Sequence, residues 1–208
     1  MISAREALQR LREGNQRFVS DEQGDASTSQ TRRRALVAGQ EPFAIILGCS
    51  DSRVPAEIVF DQGLGDLFVI RVAGNIVAPS LVGSIEFAAD RFGTRLVVVL
   101  GHTQCGAVQA TLEELERPTE MRSPNLRSIV DRIRPSIQTL MESEGRQVPE
   151  VLMGHAVRAN IRASVNQLRH GSQILEALIQ RAGLLVVGAE YSLETGIVTF
   201  FDGLPEAG

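Results

Sequence analysis

Short, almost entirely apolar runs recur along the chain. Four of them, at 43–48, 67–72, 95–100 and 184–189, are continuous rather than alternating in hydrophobicity. Continuous apolar runs are typical of strands that are buried on both faces of a parallel sheet. A further run at 195–201 alternates more between polar and apolar residues, which predicts a strand at the edge of that sheet.

Helical periodicity fills most of the segments between these runs. It predicts an amphipathic helix over 3–18, which we interpret as an N-terminal arm that packs on a partner chain, and a short basic helix near 31–39. Four more helices are predicted later in the chain, at 80–92, 104–117, 124–143 and 151–182. Because strands alternate with helices, we expect a single α/β domain over 1–208. Its central sheet should be mostly parallel, in the order 2-1-3-4 with an edge strand 5, and flanked by helices.

Charge and composition exclude several functional classes. The 208 residues carry a formal net charge of −4, with acidic and basic side chains interspersed, so we expect no nucleic-acid partner. Every basic residue is an arginine. The absence of lysine excludes a Walker A phosphate loop and a pyridoxal Schiff base. The basic run at 32–34 is interpreted as the exposed start of a helix.

Hydropathy and the N-terminus indicate a cytoplasmic protein that does not bind membranes. No apolar run reaches the ~18 residues that a membrane span requires. The first residues lack the charged and apolar regions of a signal peptide. In the cytoplasm Cys49 and Cys105 are expected to be reduced, and a disulfide between them is the alternative.

Two polar motifs directly follow predicted strands. The first strand is followed by Cys49-Ser-Asp51-Ser-Arg53, and the third by His102-Thr-Gln-Cys105-Gly. In open α/β sheets, sites form beyond the carboxyl ends of strands where the strand order reverses. If the first and third strands are neighbours at such a reversal, the two motifs meet.

The side chains of these motifs have the chemistry of a zinc site. Two thiolates and an imidazole favour Zn²⁺ over Mg²⁺ or Ca²⁺, which prefer oxygen ligands. Three protein ligands with an open fourth position are typical of catalytic zinc. We therefore predict one Zn²⁺ per chain, bound by Cys49, His102 and Cys105. Asp51 is either a fourth metal ligand or the partner of Arg53.

The same motifs resemble those of the β-class carbonic anhydrases, whose signature is Cys-x-Asp-x-Arg followed by Gly-His-x₂-Cys-Gly. The resemblance extends through 50–57, 65–75, 83–87 and 186–191, and so covers nearly the whole chain. It implies a zinc lyase that reversibly hydrates carbon dioxide to bicarbonate. It also implies that the chain assembles as a homodimer or homotetramer.

The resemblance further assigns roles to single residues. Asp51 and Arg53 correspond to the catalytic dyad of the family. Gln40 corresponds to a glutamine that hydrogen-bonds the substrate, and Phe68 to a phenylalanine of the pocket. Phe87 stands where many members carry a tyrosine. Cys49, His102 and Cys105 correspond to the zinc ligands of the family, and the backbone N–H of Gly106 is expected to face the pocket.

Three alternative functions remain open. A relative that uses the same zinc site on carbon disulfide or carbonyl sulfide would share every ligand. A non-enzymatic zinc-binding or redox-sensing module would hold Asp51 as a permanent fourth ligand, which the nearby Arg53 disfavours. A dinucleotide-binding enzyme is disfavoured because no Gly-x-Gly-x-x-Gly follows the first strand.

Overall fold

A five-stranded sheet forms the centre of the described part of the chain. The computed structural model describes residues 2–22, 24, 29–117, 123–144 and 148–205. Within them the strands are β1 Ala44–Gly48, β2 Leu67–Arg71, β3 Leu96–His102, β4 Leu185–Tyr191 and β5 Val198–Asp202. Their order is β2-β1-β3-β4-β5; β1 to β4 are parallel and β5 runs antiparallel to β4. The predicted fold class, strand order and edge strand are confirmed.

Helices flank this sheet. They are α1 Ala4–Val19, α2 Gln30–Ala35, α3 Ala56–Val59, α4 Pro79–Arg91, α5 Gly106–Glu116, α6 Pro124–Glu144, α7 Pro149–His170 and α8 Gln173–Ala182. Short 3₁₀ turns cover Leu36–Ala38 and Ala73–Asn75. No helix in the described residues is both long enough and apolar enough to cross a membrane.

Two predictions about helices were wrong in detail, and one short helix was missed. The helix predicted over 151–182 is divided into α7 and α8, because the Ser172 side chain accepts a hydrogen bond from the Leu175 N–H and so caps a new helix. The helix predicted near 31–39 becomes a 3₁₀ turn after Ala35. The four-residue helix α3 was not predicted, since one turn is too short to show periodicity.

The two faces of the sheet bury separate sets of apolar side chains. On one face Ile45 and Val97 pack with residues of α4, α5 and α7. On the other face Ile46 and Val98 pack with apolar residues of α1. Helix α1 therefore covers the sheet of its own chain in this structure. Its Asn15 donates to the carbonyls of Val59 and Gly196, at 3.1 Å and 2.9 Å.

The parallel strands β1 and β3 place two loops at the same edge of the sheet. Gly48, the last residue of β1, is in register with Leu100 of β3. Cys49 therefore follows directly at the end of β1, while His102 is the last residue of β3. The two predicted motifs meet at the carboxyl ends of these neighbouring strands.

Candidate metal centre

Cys49, His102 and Cys105 form one buried cluster. Their sulfur atoms and an imidazole nitrogen all lie within 4.8 Å of one another. The three residues are 5%, 0% and 1% exposed, respectively. The structure thus brings together the three side chains that the sequence proposes as ligands.

His102 presents a ring nitrogen that suits a metal. Its Nδ1 lies 2.9 Å from the Thr103 carbonyl oxygen, so Nδ1 carries the proton and Nε2 has a free lone pair. Among the described residues Nε2 is buried without a hydrogen-bond partner. A buried acceptor without a partner is costly, and a cation bound between this nitrogen and the two sulfurs would remove that cost.

The two cysteines share a proton when no metal is bound. The hydrogen bond from Cys105 lowers the pKa of Cys49, against the opposing effect of burial. The same hydrogen bond, together with burial, raises the pKa of Cys105, which keeps its proton. Burial alone would lower the pKa of His102, but its interactions with Cys49 outweigh this and raise it. A metal ion that takes both sulfurs as thiolates would displace the shared proton.

The last residue of β2 and the turn after it hold the Cys49 loop in place. The Gly74 N–H donates to Cys49 Sγ at 3.4 Å. Arg71 donates from Nε to the Cys49 carbonyl at 3.1 Å and from Nη2 to the Asp51 carbonyl at 2.7 Å. The loop that carries Cys49 and Asp51 is therefore fixed through both its backbone and its sulfur.

The loop between His102 and Cys105 is held by the segment that follows β4. The Thr103 N–H donates to the Tyr191 carbonyl at 3.0 Å, and its hydroxyl accepts from the Leu193 N–H at 3.0 Å. Gln104 takes a left-handed conformation with φ of 56°, which turns the chain within the loop. Cys105 is the N-cap residue of α5, so the backbone N–H groups of the first turn favour its thiolate form, although its contact with Cys49 and its burial outweigh them and raise its pKa.

Asp51 pairs with Arg53 beside this cluster. Arg53 donates from Nε to Oδ1 at 2.9 Å and from Nη2 to Oδ2 at 2.8 Å. These bonds hold the pKa of the Asp51 carboxyl well below its usual range, so the group is ionised at neutral pH. Asp51 Oδ2 lies 3.8 Å from His102 Nε2, so the carboxylate borders the cluster while it bonds to Arg53.

The substrate-side residues, by which we mean Gln40, Phe68 and Phe87, lie in more open surroundings. Phe68 is half-buried, and its ring centroid is 6.4 Å from that of Phe87. Phe87 is 54% exposed. Gln40 is exposed and lines a shallow groove with residues of α2, of the turn after it and of the segment before β2; none of the three clustered ligands lines that groove. Gly106 is the first residue of α5 and is exposed.

Sequence reasoning missed the residues that support the cluster. One signal for Arg71 was present, because it is a lone charge within the apolar run that forms β2. Gly74 acts through its backbone N–H, and Thr103 acts through its backbone as well as its hydroxyl, so no side-chain pattern revealed these contacts. These supporting contacts follow from the structure, which places the ends of the strands next to one another.

Comparison with known proteins agrees with this geometry. Residues 44–198 match the family model described as carbonic anhydrase. The chain is 38% identical over 202 residues to carbonic anhydrase 2 of Mycobacterium tuberculosis, which covers 97% of this chain and 95% of that protein. The solved structure of the β-carbonic anhydrase CcaA is 26% identical, with a TM-score of 0.77, over 97% of this chain and 94% of that one. The chain belongs to the β-class carbonic anhydrase family.

A second relative supports the same family assignment. The carbonic anhydrase of Mycolicibacterium smegmatis is 39% identical over 202 residues, again with 97% of this chain and 95% of that protein covered. Carbonic anhydrase activity, the predicted enzyme function, is therefore confirmed. The non-enzymatic alternative and the dinucleotide-binding alternative are wrong. The Cys-His-Cys cluster is a metal site of the kind typical of the zinc β-carbonic anhydrases.

Proposed function

We propose that the chain binds one Zn²⁺ through Cys49, His102 and Cys105 and uses it to interconvert carbon dioxide and bicarbonate. The observation that carries the proposal is the buried cluster itself, with three ligand atoms within 4.8 Å and an imidazole nitrogen that has no hydrogen-bond partner in the described part of the chain. Two sulfurs and one imidazole suit zinc and leave one coordination position for water or substrate. Zinc bound there supplies the acidity that makes water a nucleophile near neutral pH.

Asp51 orients the reacting water in this proposal. Its carboxylate is ionised and borders the cluster, so it can accept a hydrogen bond from that water and direct a lone pair of the water oxygen toward carbon dioxide. Arg53 holds both carboxylate oxygens and thereby fixes the direction in which Asp51 accepts. We assign Asp51 as the hydrogen-bonding partner of Arg53 rather than as a metal ligand. Both of its oxygens accept from Arg53, and ligation of the metal would compete with these bonds.

The remaining roles concern the substrate. Carbon dioxide is apolar, and the rings of Phe68 and Phe87 offer an apolar wall. The product is an anion, and Gly106 begins a helix whose first backbone N–H groups favour negative charge. The amide of Gln40 is proposed to donate to the bicarbonate that forms.

We also propose that the enzyme is a homodimer or homotetramer. Gln40 lies in a groove that none of the three ligands lines, so a second copy is the natural source of a glutamine near the metal. Exposed apolar side chains support such an interface, since Val37 is 86% and Ile58 is 56% exposed. Sedimentation at micromolar concentration should give a dimer or larger species. A compact 22.6 kDa monomer would contradict the proposal.

Two further predictions accompany this function. We propose a cytoplasmic location, which the two free and buried cysteines support because reduced thiols persist in that compartment. Cell fractionation would test it. The single domain over 1–208 also remains a prediction, and one cooperative unfolding transition would be its signature.

Zinc analysis and stopped-flow carbon dioxide hydration on the same purified sample test the enzymatic proposal. We expect about one zinc per chain and hydration that stops when a chelator removes the metal. Carbon disulfide and carbonyl sulfide should be assayed alongside, since the ligand set is common to all three reactions. A zinc-free protein that hydrates carbon dioxide at full rate would overturn the proposal.

A further inference from the structure

The 3₁₀ turn Ala73–Asn75 touches the metal centre through a single backbone group. The Gly74 N–H donates to Cys49 Sγ at 3.4 Å. The turn is unusual in its conformation, because Gly74 and Asn75 have φ values of 71° and 43°, both in the left-handed region. Asparagine adopts this region more readily than most other residues, so Gly74 and Asn75 together suit the tight turn that the chain makes here.

Two polar side chains of α7 impose the position of that turn. Asn160 donates from Nδ2 to the Gly74 carbonyl at 2.8 Å, and Ser164 donates from Oγ to the Asn75 carbonyl at 3.1 Å. The two residues are four apart and so lie on the same face of the helix. They are only 2% and 4% exposed, and the rest of this face consists of apolar core residues. Polar side chains are costly in such a place unless they are hydrogen-bonded, and both of their bonds go to this turn.

Packing around the turn leaves it little freedom to move elsewhere. A Cβ added at Gly74 would lie 2.7 Å from Cδ1 of Ile133 and 3.0 Å from Cβ of Ala107. Helices α6 and α5 therefore press on the turn from one side, while α7 holds its two carbonyl groups. This packing fixes the orientation of the Gly74 N–H, which points toward the sulfur of Cys49.

We propose that Asn160, assisted by Ser164, is a positioning residue of the metal centre. It touches neither the metal ligands nor the substrate directly. By holding the Gly74 carbonyl, it keeps the adjacent N–H on the Cys49 sulfur, which stabilises that sulfur as a thiolate ligand. This inference rests on the proposed function, because it assigns Asn160 to the same Cys49-His102-Cys105 site.

Three variants and one control test the proposal. Asn160→Leu keeps the size of the side chain and removes the donor, whereas Asn160→Asp keeps its shape and places a carboxylate oxygen where Nδ2 was. Ser164→Ala removes the assisting bond and is the milder change if either Asn160 variant fails to fold. Val165→Ala is the matched control, because Val165 is a fully buried neighbour on α7 that makes no polar contact with the turn.

Two measurements separate positioning from general loss of stability. Loss of a residue that orients a metal ligand typically weakens metal affinity by about 10- to 100-fold, and we expect this for Asn160→Leu in competition with a chelator. The thiolate-to-cobalt absorption band of the cobalt-substituted protein should shift in the same variant. Val165→Ala should change neither readout, although it destabilises the fold. Equal weakening in Val165→Ala, or an unchanged affinity and band in both Asn160 variants, would overturn the inference.

A measurement on the metal-free protein tests the inference independently of the proposed function. Amide hydrogen exchange at Gly74 in the metal-free protein should be faster in Asn160→Leu than in Val165→Ala, measured relative to global unfolding in each. If the wild-type protein bound no metal at this site, the proposed function would fail, yet this exchange measurement would still be decisive. Exchange at Gly74 that is equal in the two variants would show that Asn160 does not hold the turn.

Discussion

The metal ligands and the substrate-side residues differ in their burial and in whether they lie close together within one chain. Cys49, His102 and Cys105 are at most 5% exposed and come together at the ends of two adjacent parallel strands. Gln40 and Phe87 lie at the surface, and the groove that Gln40 lines includes none of those ligands. Cys49, His102 and Cys105 are therefore brought together within a single chain, whereas Gln40 and Phe87 remain at its surface.

The difference follows from the backbone that carries each group. Hydrogen bonds fix both ligand loops. Arg71 and Gly74 donate to the Cys49 loop, and Thr103 is bonded to the Tyr191 carbonyl and the Leu193 N–H. Gln40 follows a short 3₁₀ turn on the surface and makes no such set of bonds among the described residues. A rigid ligand set suits a metal, while residues exposed in this way are suited to contact with another copy.

The largest expected effect is the loss of a ligand. Cys49→Ser replaces a thiolate by a protonated hydroxyl, which is a poor zinc ligand, so we expect most of the metal and all detectable activity to be lost. Elemental analysis and stopped-flow hydration would measure both. Ser52→Ala, an exposed change in the same loop, is the control and should keep both. Full zinc occupancy in Cys49→Ser would remove Cys49 from the ligand set.

A smaller effect is expected when Asp51 is changed and the metal ligands are kept. Asp51→Asn removes the charge that orients the reacting water, and groups of this kind contribute about 10²- to 10⁴-fold to rate. Zinc content and affinity should remain those of the wild type, because Asp51 bonds to Arg53 in this structure. A parallel loss of zinc would instead identify Asp51 as a metal ligand, against our assignment.

Changing Gln40 should have a weaker effect that depends on the assembly. Gln40→Ala loses one donor to the product, and the loss of a single such donor typically costs about 10²- to 10³-fold in rate. The sharper test mixes Gln40→Ala with the inactive Cys49→Ser protein and refolds them together. If Gln40 acts on the site of a second copy, mixed oligomers contain sites with both an intact metal centre and an intact glutamine, so activity should rise above that of Gln40→Ala alone. No gain in oligomers shown to be mixed would place Gln40 in the site of its own chain.

The smallest effect is expected far from both regions. Ser172→Ala removes the N-cap of α8 and the hydrogen bond from Ser172 Oγ to Glu86, which should lower the free energy of unfolding by about 1 kcal/mol. Urea denaturation would measure this change. The hydration rate should remain that of the wild type. A clear loss of activity would show that the α7–α8 junction communicates with the site.

Much of the fold and of the metal centre could be predicted because both depend on local patterns. The apolar runs of β1 and β3 are distinct, and each is followed directly by ligand residues, so strand order alone brings Cys49 and His102 together. The break between α7 and α8 was missed because apolar periodicity continues across it, although Gly171, the C-cap of α7, and Ser172, the N-cap of α8, mark it. Gln40 could be assigned a role by resemblance, but no pattern in one chain shows which copy it serves.

The shell of atoms around the metal tests the central claim most directly. X-ray absorption at the zinc edge of the wild-type enzyme should show two sulfurs at about 2.3 Å, one imidazole nitrogen and one oxygen at about 2.0–2.2 Å. The same measurement on Cys49→Ser with residual zinc should show one sulfur fewer. A wild-type shell of nitrogen and oxygen alone would contradict the account, since it would mean that the buried Cys-His-Cys cluster does not hold the zinc.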